Sequence, residues 1–289
     1  MPRRWQVAVL ALLGVFALAC EGGAGAADPE PTPSRSRTVA PSTGYPASMA
    51  ALGDSITAGV GSCLAYVACS RNSWAAGTAR GVDSHYQRIL AENSKIKGDV
   101  HNFAEPGAEA DALAGQAARA VDAKVQYVTV LIGANDACSG RLRDMTSVAR
   151  FRDEVDRGLA TLKKGLPKAR VLVASIPDLY RLWQVGRDDE QALRVWSSGG
   201  VCPSMLADPA STARADNERR RGVRDRIDAY DDELRQACKA YGSRCRWDGG
   251  QVHDLRFTLD LVNTFDYFHP NLEGQNELAA ITYPERFSW

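Results

Sequence analysis

The chain has 289 residues, 45% of them hydrophobic and 24% charged, with 35 basic side chains against 35 acidic ones. This composition excludes a disordered tail, a collagen-like repeat and a nucleic-acid binder that relies on bulk positive charge. The length accommodates one large domain or two small ones and is ample for a buried core.

Arg3 and Arg4 precede an apolar or glycine run of 13 residues, Val7–Ala19. A helix that crosses a bilayer needs about 20 such residues. A basic start, a short apolar centre and small residues at its end make residues 1–19 a secretory signal. Leu18-Ala19-Cys20 resembles a bacterial lipobox, with Ala17 standing where a large apolar residue is usual, so Cys20 is a candidate lipid anchor. Ordinary cleavage near Ala24-Gly25-Ala26 is the other reading. Residues 20–45 are rich in Pro, Gly, Ser and Thr with little to bury, which predicts a flexible tether. Residues 46–289 are left for one folded domain.

Cysteines stand at 20, 63, 69, 138, 202, 238 and 245. Removing Cys20 leaves an even set in an oxidising compartment, the arithmetic of a disulfide framework. Spacing alone does not fix the pairing. Joining nearest neighbours (Cys63 with Cys69, Cys138 with Cys202, Cys238 with Cys245) is the expected arrangement. A metal site is the poorer reading, because no C-x-x-C and no zinc-like His-Cys spacing occurs.

In chain order, Met49–Gly53, Asp99–Ala104, Val125–Ile132 and Val171–Ile176 read as buried strands. Helical patterns occupy Trp74–Asn93, Ala108–Asp122, Val148–Leu166 and Pro209–Ala240, and a last helix spans Asn271–Ile281. In the long charged segment, Val223, Ile227, Tyr230, Leu234 and Cys238 fall at helical spacing, and Arg219-Arg220-Arg221 reads as a solvated face. Strands separated by helices predict an α/β fold, a three-layer sandwich around a central parallel sheet. Ligands bind beyond the carboxyl ends of such strands.

Polar turns follow the strands there. Gly53-Asp54-Ser55 places a serine on a glycine-tightened turn, where Oγ is exposed and the next helix start favours developing negative charge. Asp266 and His269 are three apart, able to face each other, so a carboxylate on one imidazole nitrogen leaves the other free as a base. Pro270 at a first helical position would pin His269 at the helix start. Gly107 after Pro106 allows an exposed backbone N–H, and Asn135 supplies a side-chain amide, two donors for an oxyanion. Each alone reads equally as a turn or capping residue; the four in this order do not. Asp54 and Asp136 are expected to stabilise the turns behind them.

These blocks resemble the SGNH/GDSL hydrolase family over nearly all of residues 48–289. The resemblance implies a flavodoxin-like fold and a serine esterase that needs no metal or cofactor. It makes Ser55 the nucleophile, Asp266 and His269 the rest of a triad, and Gly107, Asn135 and the Ser55 N–H the oxyanion donors. Asn72-Ser73-Trp74-Ala75-Ala76-Gly77, Ala104-Glu105-Pro106-Gly107-Ala108 and Ile132-Gly133-Ala134-Asn135-Asp136-Ala137-Cys138 resemble the phospholipase B-like branch. Pro270-Asn271 after His269 is more similar to bacterial secreted esterases, which leaves the substrate open between lipid esters and acetylated glycans. Hydrolysis, acyl transfer on the same fold and a non-catalytic surface lipoprotein are the alternative outcomes. The expected partner is an acyl-ester substrate met by a monomer, with no nucleic acid and with the membrane touched only through an N-terminal anchor.

Other chemistries fail on spacing. Gly53-Asp54-Ser55-Ile56-Thr57 lacks the second glycine of the α/β-hydrolase elbow, and Gly59-Val60-Gly61-Ser62-Cys63-Leu64 lacks the third of a dinucleotide fingerprint. His85, His101 and His253 have no acid three residues before them and read as surface or core histidines. Tyr180, Leu182, Trp183, Trp196, Met205 and Leu206 are either helix core or the wall of an acyl pocket.

Overall fold

Met49–Gly53 (β1) is an unbroken run of small and apolar residues, buried along its whole length, as a central strand covered on both faces must be. A computed structural model describes residues 44–284 and 286–289. The expected signal, Cys20 and the tether as far as Thr43 lie outside the described residues. In chain order β1 is followed by α1 (His85–Glu92), β2 (Val100–Asn102), α2 (Leu113–Asp122), β3 (Tyr127–Leu131), α3 (Ala134–Ala137), α4 (Val148–Gly165) and β4 (Arg170–Val173). Then come α5 (Leu179–Gly186), α6 (Glu190–Ser197), α7 (Pro203–Leu206), α8 (Arg214–Tyr241), β5 (Cys245–Trp247), α9 (Gln251–Asp254) and α10 (Leu272–Thr282).

The five strands form one parallel sheet in the order β2-β1-β3-β4-β5. Alternation along the strands divides the interior in two. Ala50, Leu52, Val128, Val130, Val171 and Val173 face α2, α4 and α8. Met49, Ala51, Tyr127, Leu131 and Leu172 face Trp74, α1 and α10. The fold is therefore the α/β three-layer sandwich. α4 shows how the sequence makes its layer: Ser147 caps its start by accepting from Arg150 N, and Phe151, Val155, Leu159 and Leu162 recur on one buried stripe. The strand order reverses between β1 and β3, where ligands bind in open parallel sheets, and Ser55 lies two residues beyond β1.

Several elements differ from the sequence reading. β5 escaped it because three residues, Cys-Arg-Trp, carry no period. The helix expected from Trp74 begins only at His85, capped by Ser84. Residues 74–84 form turns instead, and Gly77, whose N–H donates to Ser73 O, sits where a Cβ would lie 2.4 Å from that oxygen. α10 begins at Leu272 with Asn271 as its cap, so Pro270 is not its first residue. Pro270 instead bridges to Val262, anchoring the chain just after His269. The Arg219-Arg220-Arg221 face is not wholly solvated: Arg220 is buried, its guanidinium 4.3 Å from the Trp183 ring and donating to Asp208 O and Ser211 O. Those carbonyls belong to the irregular approach to α8, and the buried guanidinium supplies donors to both.

All six described cysteines are paired, Cys63–Cys69, Cys138–Cys202 and Cys238–Cys245. Among the described residues no helix is long and apolar enough to cross a membrane.

Candidate active site

The turn after β1 is held from both helical layers. Gly53 has φ +148° and a Cβ on it would stand 2.2 Å from Leu131 O, so only glycine lets the neighbouring strand end approach. Gln116 of α2, buried on an otherwise apolar stripe, accepts from Gly53 N at 2.7 Å and donates to Gly53 O at 2.9 Å. Gln275 of α10 donates to Ile56 O at 2.9 Å and accepts from Trp74 N at 2.8 Å. Asp54, fully buried, accepts from Ile56 N at 2.9 Å, and burial pushes its carboxyl up to about 6. Between these braces sits Ser55.

Ser55 Oγ is 2.7 Å from His269 Nε2, and His269 Nδ1 is 2.5 Å from Asp266 Oδ2. The second Asp266 oxygen accepts from the backbone N–H of Phe268 and His269 and from Asn263 Nδ2, at 2.9–3.0 Å. Burial alone raises this acid, but the His269 contact and the N–H donors outweigh it and hold Asp266 below the ordinary carboxylate value. With Asp266 ionised, Nδ1 carries the imidazole proton and Nε2 is left to accept from Ser55. Such a line can take the hydroxyl proton as Oγ attacks a carbonyl.

Asn263 is the hub of the turn and no motif pointed to it. Its Nδ2 also donates to His269 O, and its Oδ1 accepts from Phe265 N and Asp266 N. An Asn three residues before an Asp is the sequence trace of this Asx turn, too common to single out.

The sequence-predicted oxyanion donors come from the loops after β2 and β3. Glu105 N donates to Gly53 O at 3.1 Å, setting the β2 loop beside the serine turn. Gly107 has φ +81°, and neither its N–H nor that of Ser55 makes a hydrogen bond among the described residues. Asn135 Nδ2 donates one hydrogen to Ala108 O at 2.9 Å, leaving its second free, and Asp136 accepts from Ala110 N at 3.0 Å. Burial pushes Asp136 up to about 7. Asn135 and Asp136 thus clasp the loop that carries Gly107.

Residues 51–276 match the GDSL-like Lipase/Acylhydrolase family. The chain belongs to that family. It is a carboxylic ester hydrolase with the family's α/β architecture. The enzyme LAE5 from the metagenome of Lake Arreo, Spain, described as an alpha/beta hydrolase, has a similar structure: TM-score 0.50 and 17% identity over 81% of this chain and 92% of that one. At that identity the likeness speaks to the fold. An extracellular lipase from Streptomyces rimosus and phospholipase A1 from Streptomyces albidoflavus NA297 each align at 16% identity and TM-score 0.48, over 81% of this chain and 97% of theirs. No curated protein matches the sequence.

In this GDSL-like hydrolase the tryptophans near the Cys138–Cys202 bridge are core, not an open acyl wall. Trp183 is buried under Arg220 and donates to Pro209 O. Trp196 packs against Gly186, where a Cβ would lie 2.1 Å from its ring, and donates at 3.1 Å to the backbone carbonyl of Asp266. Tyr267 OH donates to Gln191 at 2.7 Å, so α6 holds the Asp266–His269 turn from behind. His85 is a satisfied core histidine between Tyr127 and Thr282, lowered to about 3 by burial. His101 lies at the surface beside Asp99. His253 is neither surface nor plain core: it lies 3.2 Å from Asp231 and 3.4 Å from Asp228 of α8.

Proposed function

We propose that this hydrolase is an exported serine esterase of the lipase and phospholipase type, with residues 46–289 as its catalytic domain behind a signal segment (1–19) and a tether (20–45). The unbroken hydrogen-bonded line from Ser55 through His269 to Asp266 carries the reading. Ser55 Oγ attacks the ester carbonyl as His269 Nε2 takes its proton. Asp266 stabilises the imidazolium, and the Ser55 N–H, the Gly107 N–H and the free Asn135 amide hydrogen receive the oxyanion. The tetrahedral intermediate then collapses: the carbonyl carbon–alcohol oxygen bond breaks, His269 protonates the departing alcohol, and an acyl-Ser55 ester remains. Water, deprotonated by the same histidine, releases the acid and restores Ser55.

Export is supported by the basic and apolar N-terminus and by the pairing of all six described cysteines, as expected of an oxidising compartment. Acylation of Cys20 would tether the domain to a membrane surface, while cleavage near Ala26 would release it.

The test is covalent labelling with a fluorophosphonate together with hydrolysis of p-nitrophenyl acetate. Both activities are expected in the intact protein and neither in Ser55→Ala, with its folding unchanged by circular dichroism. Hydrolysis persisting at the wild-type rate in that variant overturns the assignment.

A further inference from the structure

Four large apolar side chains stand exposed among the described residues: Leu64 fully, and Tyr66, Val67 and Phe265 about half. Scattered singly they would need no explanation. Instead they gather on two segments: Tyr66 and Phe265 meet beside His269, and Leu64 and Val67 flank Tyr66 in the chain. The Tyr66 ring lies 6.2 Å from the His269 ring and 6.3 Å from that of Phe265. Leu64, Tyr66 and Val67 belong to the loop closed by Cys63–Cys69. That loop is fastened down: Gly61 N donates to Val67 O, Cys69 N to Ala58 O, and Asn72 Nδ2 to Ser62 O. Exposure of this much apolar surface on a secured loop costs solvation that the fold does not recover, which points to a partner that covers it.

The chemistry of the collapse says which part of the substrate that is. His269 Nε2 delivers its proton to the alcohol oxygen, so the leaving portion must lie against the histidine, while the carbonyl oxygen lies at the Gly107 and Asn135 donors. Groups that border His269 therefore border the alcohol. We propose that the rim of Leu64, Tyr66, Val67 and Phe265 receives the alcohol portion of the ester, and that the preferred substrates are esters of apolar alcohols, including glycerides whose remaining acyl chains depart with the alcohol, rather than acetylated sugars. Burial and the nearby Asp266 carboxylate push the Tyr66 hydroxyl up to about 12, so the rim stays uncharged across the working range. The proposal rests on the Ser55–His269 reading above.

Two series of monomeric esters test it: acetates of lengthening alcohols, ethyl to octyl, and ethyl esters of lengthening acids. In the acetate series the acyl-enzyme is common, so kcat/KM reports the step in which the alcohol leaves. Wild type is expected to gain about two- to fourfold in kcat/KM per added alcohol methylene, the value of partial to full burial. Leu64→Ser/Phe265→Ser should cut the octyl-to-ethyl ratio at least about tenfold, and Leu64→Met/Phe265→Leu should keep it. Both sites are exposed, so the fold tolerates the changes. An alcohol series that is flat in wild type, or unaltered in the serine variant, overturns the proposal. So does a variant that flattens the acid series instead, or a wild type that prefers acetylated xylose to octyl acetate. Absence of any Ser55-dependent hydrolysis overturns this proposal together with the functional reading beneath it, and is distinguished from the other failures by the missing fluorophosphonate label.

Discussion

Replacing Asn263 with alanine tests whether His269 is held by its turn or merely by its neighbours. The buried side chain makes four hydrogen bonds: Nδ2 donates to Asp266 Oδ1 and His269 O, and Oδ1 accepts from Phe265 N and Asp266 N. Three are neutral, worth about 1 kcal/mol each, and the one to the Asp266 carboxylate is worth about 1.5–3 kcal/mol. The gross loss of about 4.5–6 kcal/mol is reduced where water replaces the amide, so urea denaturation should report about 2–4 kcal/mol. Function should move as well. Asp266 loses one of the donors that keep it ionised, so its pKa rises and the acid limb of kcat/KM for p-nitrophenyl acetate shifts to higher pH. Asn263→Asp keeps both acceptor contacts but sets a carboxylate 2.9 Å from Asp266 Oδ1. At an effective dielectric near 20 that repulsion is about 6 kcal/mol, enough for the pair to retain a proton at neutral pH. Its acid limb should therefore lie above that of the alanine variant. The reasoning is refuted if Asn263→Ala loses stability while kcat and the acid limb stay at wild-type values.

Asn135→Ala should lower kcat by about 10²–10³ with little change in KM, as loss of one oxyanion donor does; an effect on KM alone would make Asn135 a ground-state contact. His253 is raised from 6.5 to about 9, chiefly by its hydrogen bond to Asp231. A histidine whose folded value exceeds its unfolded one contributes stability that is complete below pH 6.5 and is lost as pH rises through 9. The unfolding free energy of wild type from urea titrations should fall across that window by about 1 kcal/mol after solvent screening, and that of His253→Gln should not. Parallel pH dependence in the two proteins would remove the pair from the stability balance.

What could be read from the sequence follows from where each signal resides. β1, β3 and β4 are buried on both faces, so their apolar runs are written plainly, and α4 and α8 carry unmistakable stripes. Ser55, Asp266 and His269 stand in short local blocks, so they could be singled out as candidates that the fold then brings within hydrogen-bond distance across a sequence separation of 214. Their supports could not. Gln116 and Gln275 act across the sheet on backbone groups, and nothing local distinguishes them from surface glutamines. Arg220 reads as one of three solvated arginines until the 208–211 carbonyls it caps are known. Trp196 could be read as core or as pocket wall, and the core reading holds: the side chain is buried and its indole donates to a backbone carbonyl of the Asp266 turn. The exposed rim was equally hidden, because Leu64 and Val67 in a cysteine loop look like any small apolar pair.

The brace from α10 to Ile56 has a consequence for when the enzyme comes to exist. Ser55 comes early in the chain and His269 near its far end, and the helix that follows His269 is the one that reaches back through Gln275 to steady the serine turn. Until that last helix docks, the turn that carries Ser55 is held from one helical layer only, by Gln116. On the reading proposed above, a chain cut short of residue 269 lacks its base, and one cut short of residue 275 lacks this brace. The two halves of the site therefore come together only when the end of the chain has folded back onto its beginning.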